Sequence, residues 1–197
     1  MSSSIQDKLS RWLSIQLLEE QLMNPSSSYF TIEDSFTDMT TQTAPTPDSP
    51  ITVKFGSAKT TPSGLLSMDA AGVLTVLKEG PYFAKTRVNC GRTGSSGTSI
   101  LHLWVEISVD GGATWLVSGN IVDIRLDNAS DTDTFFDMTP VYLPAGAKAR
   151  TRFVRSSLGN NSGDITSSTL STALQTYGLT PAPSAQLSMY KSNDWVY

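Results

Sequence analysis

Apolar and polar residues alternate along most of the chain after residue 64, and that alternation predicts β-strands. The strongest run is Ile100, Leu101, Leu103, Val105, Ile107 and Val109. Tyr82, Ala84, Thr86 and Val88 fall on one side of another strand, with Lys85 and Arg87 on the other. Gly64 to Thr75 reads as a hairpin turning at Ala70-Ala71-Gly72, and Val73 to Leu77 is rich in β-formers. Trp115–Val117, Ile121–Leu126, Phe135–Met138, Ala149–Val154 and Ser184–Tyr190 continue the series, with Pro144-Ala145-Gly146 as a turn. About eight short strands at near-regular spacing predict an antiparallel sandwich or barrel. No fixed-period repeat suggests a propeller or solenoid. Residues 157–183, rich in Ser, Thr, Asn and Gly, read as a long loop at one tip.

The period changes at the N-terminal end. Over residues 3–24, Ile5, Leu9, Trp12, Leu13 and Leu17 recur at helical spacing, opposite Asp7, Ser10, Arg11 and Ser14. Ser3 or Ser4 supplies an N-cap, and Asn24-Pro25 stops the helix. Its apolar side needs a surface to cover it: the chain's own domain, another copy, or another protein. The polar side lacks the Lys/Arg excess of a membrane-surface helix. Residues 25–63 carry five prolines among Ser, Thr and Asp, including TTQTAPTPDSP, and read as an extended arm. Tyr29, Phe30, Ile32 and Phe36 are its apolar docking points. The predicted organisation is thus 1–24 amphipathic helix, 25–63 extended arm and 64–197 β domain.

Composition narrows the function. The 197-residue chain has a formal net charge of −4, which argues against a general nucleic-acid binder. No apolar run is long enough for a transmembrane helix, and the first residues lack a secretory pattern. A single cysteine, Cys90, excludes an intrachain disulfide and fits assembly in a reducing cytoplasm. Lys148, Arg150, Arg152 and Arg155 form the one basic cluster, read as outward positions on a strand.

Candidate chemistry is sparse. His102 is the only histidine, and its side chain faces opposite to Leu101 and Leu103. Neither a zinc ligand set nor a G-x-S-x-G nucleophile turn is present. Asp123, Asp127, Asp131, Asp133 and Asp137 lack calcium-loop spacing and read as solvated carboxylates. No catalytic residue, metal or cofactor is therefore expected. The sharpest motif, Ser108-Val109-Asp110-Gly111-Gly112-Ala113-Thr114-Trp115, matches the Asp-box S-x-D-x-G-x-T-W. Sialidase-type propellers carry several copies and this chain has one. Ser108, Asp110, Gly112 and Trp115 are read as a structural staple of a hairpin, with Asp110-Gly111 at the turn.

Two further segments carry a family resemblance. Leu77-Lys78-Glu79-Gly80-Pro81-Tyr82-Phe83-Ala84 resembles the opening of a core strand in tumour-necrosis-factor and complement-type jelly rolls. Val141-Tyr142-Leu143-Pro144-Ala145-Gly146-Ala147-Lys148 resembles a late turn of that fold. The chain departs from the family in its last strand, Ala185–Tyr190, which lacks the usual phenylalanines. Such domains also occur in bacteriophage virion proteins, head decoration or cement proteins and head fibres. The resemblance implies a homotrimeric jelly roll anchored at one end. On this reading Ile5, Leu9, Trp12, Leu13 and Leu17 bind a major capsid or other virion protein. The protein would be assembled in the host bacterial cytoplasm and reside in the virion. The alternative is a head-fibre or tail-associated adhesin that binds a host glycan.

Overall fold

The structure, a computed structural model, describes residues 30–92, 97–160, 162–169 and 171–192. The expected helix over 3–24, with Ile5, Leu9, Trp12, Leu13 and Leu17, lies outside the described residues, as do Trp195 and Tyr197. In chain order the strands are β1 (Phe30–Asp38), β2 (Ile51–Thr52), β3 (Lys59–Thr60), β4 (Leu66–Met68), β5 (Leu74–Val76) and β6 (Gly80–Gly91). They continue as β7 (Ser99–Ser108), β8 (Leu116–Leu126), β9 (Thr132–Leu143), β10 (Lys148–Arg155), β11 (Asp164–Ile165) and β12 (Ala185–Ser192). One short helix, α1 (Thr172–Gln175), lies in the loop before β12.

All pairings are antiparallel and fall into two sheets. Sheet A runs β1-β12-β6, with β9 along the other edge of β6 and β11 on its last residues. Sheet B runs β3-β4-β5-β10-β7-β8, with β2 also on β10. The eight principal strands thus order as β1-β12-β6-β9 and β5-β10-β7-β8, the arrangement of a jelly roll. Inward positions of both sheets make one core. Tyr82, Val88, Phe135, Leu143, Leu187 and Met189 come from sheet A; Leu74, Val76, Leu101, Leu103, Ile124 and Phe153 come from sheet B.

The sandwich begins before residue 64. Phe30 pairs with Ser192 and Asp38 with Ala185, so β1 is an outer strand of sheet A rather than part of an arm. Phe36, Ala44, Val53 and Phe55 are buried in the core. Gln42 extends the sheet in side-chain form: its amide nitrogen donates to the Lys54 carbonyl at 2.9 Å, and its oxygen accepts from the Lys54 amide at 2.8 Å. Pro45, Pro47 and Pro50 fall between β1 and β2, and Pro62 between β3 and β4, where no ladder hydrogen bond is lost.

Local chemistry explains the turns. Asp69 accepts from the amides of Ala71 (2.9 Å) and Val73 (2.8 Å), closing the β4–β5 hairpin. Gly72 has φ +86°, and a Cβ there would lie 2.0 Å from the Val53 carbonyl oxygen, so no larger residue fits. Two buried arginines serve the same ends as turn residues. Arg155 donates to the Ala44 carbonyl and Arg92 to the Leu126 carbonyl. Arg155 shares the inward parity of Thr151 and Phe153, so it is buried rather than outward.

Candidate functional site

The turn joining β7 to β8 holds the Asp-box residues. Ser108 is buried, and its hydroxyl donates to Asp110 Oδ1 at 2.7 Å while accepting from the Gly112 amide at 2.8 Å. Asp110 Oδ1 also accepts from the Thr114 amide at 2.9 Å. The Thr114 amide first, and the Ser108 hydroxyl next, hold the Asp110 carboxyl well below its ordinary range. Gly111 and Gly112 take φ values of +74° and +102°, which the turn requires. Trp115 returns from the turn, and the Arg150 guanidinium stacks on its ring at 3.8 Å. All four motif residues therefore serve one hairpin and its attachment to β10.

That attachment continues across the outer face of sheet B. Register places Glu106 opposite Arg150, and Trp104 opposite Arg152. Arg150 Nε donates to Glu106 Oε2 at 2.6 Å, Arg152 Nε lies 3.7 Å from the same oxygen, and Trp104 Nε1 donates to Glu106 Oε1 at 2.9 Å. Burial pushes the Glu106 carboxyl up, but the Trp104 and Arg150 hydrogen bonds and the two guanidinium charges outweigh it, and the net shift is downward. Arg152 also donates to Thr52 Oγ1 at 2.8 Å. His102 lies further along this face, with Nδ1 2.6 Å from Asp123 Oδ1.

The outer face of sheet A and the neighbouring edge differ in kind. On β9, Phe135 and Leu143 turn inward while Phe136, Met138 and Tyr142 face out at 53%, 51% and 50% exposure. β8, the outer strand of sheet B on the same side, is exposed on both faces from Leu116 to Asp123 apart from Ser118. Leu116, Val117, Ile121 and Val122 stand in that stretch, and Leu116 is 66% exposed. These residues form an apolar edge that nothing in the described chain covers. Phe83 and Tyr190 meet edge to face at 6.3 Å on the adjoining face of sheet A.

The interior carries no reactive centre that the described residues reveal. Cys90 is buried, and burial pushes its thiol up to about 12, far from a nucleophile's range. A void of about 50 Å³ between the sheets is lined by residues such as Leu74, Ala84, Val105, Val141 and Leu187, well below the size of a ligand chamber. Among the described residues no three His, Cys, Asp or Glu side chains stand close enough to hold a metal ion. The aspartates of residues 123–137 are spread over separate tasks. Asp123 meets His102, Asp127 accepts from Thr98 at 2.7 Å, and Asp131 accepts from the Asn128 amide at 2.7 Å. A wider cleft at the end of sheet A is lined by Asn89, Thr132, Thr134, Thr166 and Ser168. Its Asn89 is already engaged by Thr134 and the Pro183 carbonyl.

The residues that define these surfaces were only partly visible as a pattern. Glu106 and Trp104 occupy outward positions of the clearest alternating run, but their meeting with Arg150 and Arg152 depends on the β7–β10 register. Phe136, Met138 and Tyr142 follow from a period-2 reading of β9 carried through to residue 143.

No protein-family model matches this chain, and no curated protein matches it in sequence. Among solved structures, the chain is similar to the Eiger TNF from S. frugiperda at 8% identity. The match covers 85% of this chain and 97% of that one, with a TM-score of 0.45. A likeness at this level carries no argument about function, and the fold stands on the strand order itself.

Proposed function

We propose that this protein is a non-catalytic structural component of a virion, a decoration or cement protein of the phage head. Its β sandwich self-associates as a homotrimer and its N-terminal segment grips the capsid. The observation that carries the reading is the uncovered apolar edge of β8 and β9: Leu116, Val117, Ile121, Phe136, Met138 and Tyr142. A contiguous apolar strip of this kind marks a protein-binding surface. The strip joins the outer face of sheet A at one side of the sandwich, so the two patches differ from each other. Contact between unlike patches is heterologous, and it closes into a ring when the rotation allows.

The virion setting rests on the resemblance of the sequence to phage jelly rolls. The arrangement of the chain ends supports the anchoring part. Phe30 and Ser192 are paired, so the described chain enters and leaves at one end of sheet A. Phe30 opens β1, across sheet A from β9, so the anchor proposed for residues 1–29 and the apolar strip belong to different edges. In the adhesin alternative, the tip loop 157–183 would read a host glycan, yet its sole aromatic residue is Tyr177.

Light scattering on the full chain tests the assembly. The expected mass is three times 21.2 kDa, falling to that of one chain in Met138→Glu. A wild-type monomer at tens of micromolar would overturn the reading.

A further inference from the structure

The outer face of sheet A also holds a polar pocket of about 290 Å³, lined by Ser35, Lys85, Arg87, Gln186, Ser188 and Tyr190. Strand register builds it. Ser188 on β12 stands opposite Ser35 on β1 and opposite Lys85 on β6, and Gln186 stands opposite Arg87. Two neighbouring rows of one sheet face therefore converge on the same spot. The Ser35 and Ser188 hydroxyls are 3.3 Å apart, and Gln186 Nε2 donates to Ser35 Oγ at 3.1 Å.

Every one of these six side chains can donate a hydrogen bond, and none is a carboxylate. Lys85 and Arg87 sit two residues apart on one face of β6, so their positive charges are neighbours. The ion pairs of the described residues use His102, Arg150 and Arg152, and among those residues neither Lys85 nor Arg87 has a carboxylate within ion-pair distance. Lys85 instead lies 5.6 Å from the Phe136 ring, and Arg87 Nε donates to the neutral Asn89 side chain at 3.3 Å. In a chain of net charge −4 this is a local inversion of sign. Two like charges beside a donor-rich pocket without a carboxylate are stabilised by an anion placed between them.

We propose that this pocket binds an oxyanion, a phosphate or sulfate group, with Lys85 and Arg87 as its charge partners and, as neutral donors, the Tyr190 hydroxyl and whichever of the paired Ser35 and Ser188 hydroxyls does not donate to the other. The Phe83–Tyr190 pair beside it provides an apolar flank for whatever carries the group. The same chemistry is offered by a free ion and by an ion borne on a sugar. All the residues belong to one chain, so binding does not require the trimer, although the pocket lies on the face assigned to self-association.

Calorimetric titration of the full chain in a low-salt chloride buffer tests this, with inorganic phosphate, inorganic sulfate and sucrose octasulfate as separate probes. Saturable binding is expected, weakened about tenfold or more by Arg87→Gln and by Lys85→Gln. Lys148→Gln on sheet B should leave it unchanged. Affinity should fall as chloride is raised. Binding of the inorganic ions alone assigns the free ion; binding of the octasulfate alone assigns the sugar-borne group. Absence of binding, or binding indifferent to Lys85 and Arg87 in variants that melt like wild type, overturns the proposal. Light scattering on the same samples separates the two ideas. A monomer that binds the anion sinks the trimer reading only; no binding by the trimer, nor at dilutions where light scattering reports one chain, sinks the anion site only.

Discussion

The outer faces of the two sheets carry the same ingredients in opposite states. On sheet B, two arginines share Glu106, one of them stacks on Trp115, and Trp104 donates to the same carboxylate. Charge on this face is balanced within the chain, although Arg152 Nε makes no hydrogen bond. On sheet A, two cations have no carboxylate within ion-pair distance among the described residues and lie beside aromatic and apolar side chains open to solvent. A contiguous patch of large apolar groups is unusual on a finished surface. Under the proposed function, sheet A and the β8–β9 edge are the surface completed by something outside this chain.

Substitutions sharpen that contrast. Glu106→Ala should be the most damaging of the exposed-face changes, because it strands two half-buried guanidinium groups. A loss of about 2 kcal/mol is expected in urea unfolding, whereas Lys85→Ala on sheet A should change stability by less than about 0.5 kcal/mol. Equal losses would mean that both faces are internally matched. Ser108→Ala removes an acceptor from the Gly112 amide and a donor to Asp110. It should cost about 1 kcal/mol by the same measurement, leaving the mass in solution untouched.

Acid provides a smaller effect with a defined sign. The Glu106 carboxyl lies below its ordinary value of 4.5 and that of Asp110 below 3.8 in the folded protein. Groups depressed in this way contribute stability that is fully present above those ordinary values and is lost as pH falls through the folded ones. The melting-temperature gap between wild type and Glu106→Gln should therefore be constant near neutrality and shrink below about pH 4. A gap that widened on acidification would contradict the assigned pairing. The corresponding gap for Lys85→Gln should not respond in that range.

The legibility of the fold varied with the length of each element. β7 is plain because Leu101, Leu103, Val105 and Ile107 recur at every second position, and the β4–β5 turn is plain because Asp69 and Gly72 have turn chemistry. β1 was read as arm because Thr, Ser and Asp surround Phe36, and the prolines that follow lie in turns rather than outside the domain. β2, β3 and β11 have two residues each, too few to show a period. β8 was read as two strands because Gly119-Asn120 interrupts the pattern; the structure carries one strand across a register shift there. Arg155 was read as outward from its charge, although its parity with Phe153 already placed it inward. The surfaces that matter for function were the least legible, since Glu106 with Arg150, or Lys85 with Ser188, meet only through register between distant strands.

The central claim is that the β8–β9 edge is covered in the assembled protein, and hydrogen exchange on the full chain, read strand by strand, tests it most directly. At high concentration, where light scattering reports the assembled mass, amides of residues 116–123 and 136–142 should be protected, and Met138→Glu should release them while β7 and β10 remain unchanged. Protection of those residues that is the same in Met138→Glu and at high dilution would mean that the edge is shielded within the single chain, and the account would fail.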